Sequence, residues 1–337
     1  MRYIGPDVHK NNTTAAVISP GGKIVKVMDV RSNENGLRTI HEYMEGKEYC
    51  VMMESSTYSY KVYRFFESLG IESSVVHARS LKMITDTDKK TDKKDAGSIG
   101  RVLRLWKRKE IELSVSFIPT PEQMELKDVC RYREEISRML GDEVRKIRSH
   151  MARNCLHLPA EYSNLSTMKA QRYLSDTYSG DTTLQRRSHR YLELLREKED
   201  VSKDIESRLP NSSDVKLLGG IPGIGKQTAV QIMSMIVDIK RFDDPEKLCA
   251  YFGLVPKVMN SGGKVHHGRM TKAGDKMMRE IMERVTLSHI QHCDSSITQY
   301  FHRKEKEMGT KKALITASRK MLAVIFAVLR DQRPFTA

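Results

Sequence analysis

Residues 3–30, YIGPDVHKNNTTAAVISPGGKIVKVMDV, decide the fold of the first third of the chain. Tyr3–Val8 reads as a short apolar strand. Thr14–Ser19 and Lys23–Val30 flank Pro20-Gly21-Gly22, a turn signal between two runs of strand-forming residues, and so read as a hairpin. Working outward, Tyr49–Met53 is a buried-strand candidate and Tyr58–Leu69 a helix. Ile71–Val76 is a further strand and Thr91–Leu105 a further helix. Strand, hairpin, helix, strand and helix make an α/β domain with a mixed sheet over residues 1–118.

The texture then changes. Leu126, Val129, Ile136, Leu140, Ile147, Met151 and Leu158 recur at spacings of three, four and seven. That spacing is the seam of a long amphipathic helix or coiled coil. Pro159–Asp181 interrupts it with proline, serine and glycine. Leu184, Tyr191, Leu195, Val201, Ile205 and Leu209 then mark a second long helix. Residues 119–209 therefore read as two long helices in an antiparallel arm. Pro210-Asn211-Ser212-Ser213 reads as a linker, and residues 210–337 form a third, mainly helical region. Its helices fall at about 273–293 and 311–329, preceded by glycine-containing loops.

Composition bounds the function. The 337 residues carry 58 Lys and Arg against 43 Asp and Glu, a net +15, and that excess points to a polyanionic partner. No apolar run approaches the roughly 20 residues that cross a bilayer, and MRYIGPDVHK lacks the apolar stretch of a secretory signal. Cys50, Cys130, Cys155, Cys249 and Cys293 are scattered, odd in number and without CxxC spacing. They argue for reduced thiols in the cytoplasm rather than a disulfide framework or zinc site.

Four acids stand out. Asp7 lies within the first apolar strand, where a carboxylate is costly unless paired or metal-bound. Glu54 ends the strand Cys50-Val51-Met52-Met53-Glu54. Asp92 and Asp95, spaced i, i+3 at a helix start, share one face. Each alone has a bland explanation: the helix dipole favours Asp92, and Glu54 suits a strand end. Together, in a basic chain, they suit divalent-metal phosphodiester chemistry, because hard Mg²⁺ takes several carboxylate oxygens. Asp86 and Asp88 compete less well, since they precede the helix in an apparent loop. Residues 79–109 hold eleven Lys and Arg against four acids. Lys89, Lys90, Lys93 and Lys94 are the candidate phosphate contacts there.

In the third region Leu218-Gly219-Gly220-Ile221-Pro222-Gly223-Ile224-Gly225-Lys226-Gln227 is similar to a helix-hairpin-helix element. Gly223, Gly225 and Lys226 are its candidate phosphate contacts. Gln227 stands where a Walker A loop needs a hydroxyl, which removes that reading. Ser261 lies in a glycine-flanked loop with Lys264, His266, His267, Arg269 and Lys272. Alone it is a turn residue. Beside a base and cations, its hydroxyl becomes a candidate nucleophile, and Lys264, Arg269 and Lys272 become candidate nucleic-acid contacts.

These motifs, in this order, resemble the DEDD-type insertion-sequence transposases. The resemblance rests on Gly5-x-Asp7-Val8-His9-Lys10, Glu54, and Lys90-Thr91-Asp92-Lys93-Lys94-Asp95-Ala96. It continues in Ile221-Pro222-Gly223-Ile224-Gly225, Tyr251-Phe252-Gly253-Leu254-Val255-Pro256, Ser261-Gly262 and Thr271-Lys272-Ala273-Gly274-Asp275. It implies an RNase-H-like, RuvC-type first domain with Asp7, Glu54, Asp92 and Asp95 as a metal-binding tetrad. A coiled-coil region follows, then a transposase domain whose Ser261 attacks DNA to give a phosphoserine intermediate. It further implies Mg²⁺, a composite site across a dimer or tetramer, and a bridge RNA that pairs with target and donor DNA. Pro6 departs from the aliphatic residue usual before the aspartate. Lacking an N–H, it fits an edge or irregular strand position. The alternatives are a RuvC-like junction nuclease, which needs the acids but not the serine, and a non-catalytic nucleic-acid-binding protein.

Overall fold

A computed structural model describes residues 1–78, 80–81, 91–208, 212–261, 264–271 and 274–336, without the side chains of 257–261 and 264–269. Lys89, Lys90, Asp86, Asp88, Lys272, Leu209 and the Pro210-Asn211 part of the linker lie outside the described residues. The chain forms two compact units, Met1–Ile118 and Pro119–Ala337.

In the first unit, β1 (Arg2–Val8), β2 (Asn12–Ile18), β3 (Ile24–Arg31), β4 (Tyr49–Glu54) and β5 (Ser73–Val76) form one sheet in the order β3-β2-β1-β4-β5. The two hairpin ladders are antiparallel, while β1–β4 and β4–β5 are parallel. The expected mixed sheet is present. Successive strand residues alternate between two cores, as a two-residue period requires. Ile4, Ala15, Val17, Val51 and Met53 face α1 (Glu34–Tyr43) and α2 (Ser59–Ser68). Tyr3, Ala16, Ile18, Cys50 and Met52 face α3 (Asp92–Lys107). With both faces covered, β4 is apolar without alternation, Tyr-Cys-Val-Met-Met.

One helix here has no clear signal in the sequence, and Pro6 takes the irregular rather than the edge position expected of it. Helix α1 was not anticipated: it buries only Leu37 and Ile40, too little periodicity to stand out from its polar neighbours. Pro6 lies in the central strand, not at an edge. It pairs with Ala15 of β2, but the parallel register with β4 runs only from Arg2 to Ile4. The missing N–H therefore falls where the second ladder has ended.

The second unit is helical. Its first helix, α4 (Pro121–Arg153), starts at a capping box between Thr120 and Gln123, with Pro121 in the first turn. It runs antiparallel to α6 (Thr182–Arg208): Arg133 meets Ser202, Glu143 meets Arg187, and His150 meets Asp181. The break between them is not irregular throughout. It contains α5 (Met168–Thr177), whose Ala170 and Leu174 join Ile136, Leu140, Ile147, Leu184, Tyr191 and Leu194 in one core. Only three α5 residues are buried, which hid its period among serines and threonines.

Beyond the arm come α7 (Ser213–Gly219), α8 (Lys226–Ile236), α9 (Pro245–Tyr251), α10 (Lys276–His292), α11 (Ser296–Met308) and α12 (Thr310–Asp331). Leu126, Cys130 and Ile205, at the root of the arm, are buried in the same core as α8, α10 and α12. A correction concerns residues 253–275, read from sequence as glycine loops. They contain an antiparallel pair, β6 (Pro256–Ser261) and β7 (Lys264–Met270). Val258 and Val265 supply β-branched residues there, but the surrounding polar and glycine residues masked the strand pattern.

Candidate active site

The first unit brings four acids to one place by simple geometry. Tyr3, Gly5 and Asp7 share the face of β1 that looks toward α3, because side chains two apart point the same way. A Cβ on Gly5 would lie 2.2 Å from the Gly100 nitrogen and 2.4 Å from the Ala96 carbonyl oxygen. Helix and strand therefore touch backbone to backbone at this crossing, which only glycine permits. Two residues along β1 advance about 7 Å, and four residues back along α3 about 6 Å. Asp7 thereby meets the first turn of α3, which holds Asp92 and Asp95. Thr91 caps that turn, its side chain accepting a hydrogen bond from the Lys94 backbone N–H. On the other side, Ile4 and Val51 form the last pair of the β1–β4 ladder, and three residues further on Asp7 and Glu54 line one cavity. Glu54 shares its face with Met52, which packs toward α3.

Asp7, Val8, His9, Glu54, Ser56, Thr91, Asp92 and Asp95 line one open cavity of about 440 Å³. All four acids singled out in the sequence thus meet, and His9 and Ser56 join them unanticipated. His9 Nε2 lies 3.2 Å from Asp7 Oδ2 and 3.9 Å from Asp92 Oδ1. The ligand atoms of Asp7, His9 and Asp92 all lie within 4.8 Å of one another. The Asp7 side chain is 18% exposed. Burial pushes its carboxyl above the ordinary range, the His9 ring opposes this, and the charges of Asp92 and Asp95 reinforce it. A partly buried carboxylate facing two others is unfavourable without positive charge. Two carboxylates and one imidazole within reach of a single ion, with Glu54 and Asp95 lining the same cavity, are a donor set that fits a divalent cation. The remaining helix residues proposed as phosphate contacts, Lys93 and Lys94, are exposed in the same turn.

The second unit holds the other candidates. The Ser261 backbone ends β6 and pairs with Lys264, while its hydroxyl and the Lys264 and Arg269 side chains fall outside the described atoms. Gly223 has φ +94°, and a Cβ there would lie 2.8 Å from the His289 nitrogen and the Val285 oxygen. That glycine is required by packing against α10. Gly225 is the N-cap of α8, and Lys226 donates to Glu206 across 3.0 Å. Asp275 caps α10 and pairs with Arg131 at 2.7 Å, a structural use of the Thr271–Asp275 motif.

A mixed five-stranded sheet with acids on adjacent central strands and on the helix packed across them defines a nuclease-like class of phosphotransfer domain. Comparisons with known proteins agree. A family model described as a transposase of the DEDD type matches residues 4–155, and one described as the transposase IS116/IS110/IS902 family matches residues 215–302. The transposase for insertion sequence element IS1111A of Coxiella burnetii is 23% identical, over 99% of this chain and 91% of its own length. A transposase-like protein of Sinorhizobium fredii, y4qE, is 25% identical over 83% of this chain and 70% of its own length. The pilin gene-inverting protein of Moraxella lacunata is 34% identical over 35% of this chain and 38% of its own. The chain belongs to the IS116/IS110/IS902 family of transposases. The DEDD, RNase H-like domain of that family is matched over residues 4–155, which take in the first unit and α4, and it is a domain type that uses divalent metal ions. Among the described residues, no helix is long and apolar enough to cross a membrane.

Proposed function

We propose that this transposase cleaves and rejoins DNA strands at the ends of an insertion sequence, with Mg²⁺ held by Asp7, Glu54, Asp92 and Asp95. The observation that supports this reading most is the meeting of four carboxylates from three separate segments in one cavity. The ion, when bound, supplies Lewis-acid stabilisation of the attacking and departing oxygens. His9 orients the Asp7 carboxylate through its ring nitrogen. Lys93 and Lys94 hold backbone phosphate beside the carboxylates. Ser261 is the nucleophile: its oxygen bonds to phosphorus as one strand P–O bond breaks, its proton passes to solvent, and the departing deoxyribose oxygen is protonated. The phosphoserine retains the phosphodiester bond energy, so rejoining by a second strand's hydroxyl needs no ATP.

The acids and the serine act on one scissile linkage, within or between protomers of a dimer or tetramer. The helix pair α4–α6 acts as the coiled-coil element, and the α7–α8 hairpin contributes phosphate contacts. A bridge RNA pairs with target and donor DNA, so the protein needs mostly backbone contacts, in keeping with a lysine and arginine excess spread along the chain. The enzyme works in the cytoplasm on chromosomal and element DNA.

Ser261→Ala tests this reading. It is expected to abolish strand exchange and any protein–DNA adduct that survives denaturation, with the melting transition unchanged. The carboxylate cavity is complete within the first unit, which favours one competing reading, hydrolysis by water. If Ser261→Ala retains full metal-dependent activity, the enzyme is a nuclease of that kind.

A further inference from the structure

A second charged cavity, in the other unit, has no part in the chemistry above. Glu143, Thr183, Arg186, Arg187 and Arg190 line a cavity of about 290 Å³ between α4 and α6. Glu143 is buried, 8% exposed, in the middle of a long helix. Such a carboxylate needs partners, and it has two: Lys146 Nζ donates to it at 2.7 Å and Arg187 Nη1 at 3.0 Å. Burial alone would push the Glu143 carboxyl up, but these two cations hold it below the ordinary range. The carboxylate thus fixes Arg187 in the wall of the cavity.

The other two arginines are exposed. Arg190 is only loosely paired, 3.7 Å from Glu193, and Arg186 has no ion pair among the described residues. Three guanidinium groups against one carboxylate leave the cavity strongly positive. The sequence around it leans the same way: residues 142–193, the end of the arm that carries α5, hold nine Lys and Arg against six acids. The root of the arm, residues 119–141 and 194–208, holds eight Lys and Arg against ten acids, so the basic excess belongs to the α5 end. A cluster of three arginines, with Arg187 held in place by Glu143, matches the planar oxygens of phosphodiesters.

We propose that the α5 end of the helix pair is a nucleic-acid-binding surface, with the Arg186–Arg187–Arg190 cavity seating a backbone phosphate of a duplex. This rests on the reading of the chain as an enzyme of nucleic acids, but it uses none of the catalytic residues. The shared chemistry is the phosphodiester backbone, supplied by DNA or by structured RNA.

The test uses the full chain with Arg186→Glu and Arg190→Glu together, leaving Glu143, Lys146 and Arg187 in place. Fluorescence anisotropy measures binding of a labelled 30-base-pair DNA duplex and an RNA duplex of the same length across a salt series. The variant should bind at least one duplex about tenfold more weakly at moderate salt and lose about one to two from the log–log salt slope, roughly 0.9 per phosphate contact. A loss confined to one duplex identifies which nucleic acid the arm holds. The melting transition and Mg²⁺ affinity should match the wild type. Wild-type affinity and slope in the variant, for both duplexes, overturn the arm surface while leaving the catalytic reading standing. If the wild type itself binds neither duplex, the nucleic-acid reading of the whole chain fails with it.

Discussion

Gly5→Ala is a one-carbon change that tests how the active site is assembled. The added Cβ would stand 2.2 Å from the Gly100 nitrogen and 2.4 Å from the Ala96 oxygen, against 3.4–4 Å for ordinary contact. Both obstacles are backbone, so no side chain can swing aside, and α3 must retreat by about 1 Å from a close-packed interior. The crossing is as close from the helix side, where a Cβ on Gly100 would lie 2.6 Å from Ile18 Cγ1. Overpacking of this kind costs about 1–3 kcal/mol. The first unit should melt several degrees lower. The retreat carries Asp92 and Asp95 away from Asp7, and a misplacement of about 1 Å costs on the order of 100-fold in rate. Differential scanning calorimetry, a Mg²⁺ titration and a strand-exchange assay read the three effects. Gly97→Ala is the internal control: its Cβ would lie 3.1 Å from the tip of Ile24, a flexible side chain, and should be tolerated. If Gly5→Ala melts, binds Mg²⁺ and exchanges strands as the wild type does, the glycine crossing does not set the site.

Other outcomes follow from the same geometry. Asp7→Asn should raise the melting temperature of the metal-free protein at pH 7, because burial, Asp92 and Asp95 all disfavour the Asp7 charge. A raised folded pKa means that this penalty is absent at low pH and appears as pH rises, so the gain should vanish under acid conditions. The same variant should lose the stabilisation that wild type gains from Mg²⁺, measured by thermal shift. Glu134, 5% exposed, accepts from Gln231 and Arg284, both at 2.9 Å, and lies beside Arg133. Glu134→Ala should cost about 2–4 kcal/mol in denaturant unfolding by leaving those donors uncompensated. Burial raises the Asp275 carboxyl pKa, but Arg131 and the backbone N–H groups it caps outweigh that and hold it low. Its contribution is therefore present above the unfolded value of about 3.9 and lost as pH falls through the folded one. Asp275→Asn should cost up to about 1 kcal/mol at pH 7, and the difference should shrink toward pH 3.

Much of the first unit was legible because its signals are local. The Pro20-Gly21-Gly22 turn, the apolar run at Tyr49–Met53 and the i, i+3 acids at Asp92 and Asp95 each declare themselves within a few residues. Their meeting does not. It depends on the parallel register of Ile4 with Val51 and on the contact of Gly5 with Gly100, which are tertiary facts. His9 and Ser56 were missed as cavity residues for the same reason: each is an ordinary polar residue just past a strand end. In the second unit the long period of α4 and α6 was plain. By contrast α5, with three buried residues, and the β6–β7 pair, rich in lysine and histidine, resemble loops in sequence. Gly223 illustrates the limit from the other side. Its place in a Gly-x-Gly run reads as close approach of phosphate, but its packing against the backbone of α10, which fills the space a side chain would need, is a tertiary fact that no local motif declares.

The most direct measurement is anomalous diffraction from crystals of the protein grown with Mn²⁺ as a stand-in for Mg²⁺. A manganese peak bounded by Asp7, Glu54, Asp92 and Asp95, absent from Asp7→Asn crystals, is the expected result. Fully occupied manganese elsewhere, with none among these four carboxylates, would contradict the account.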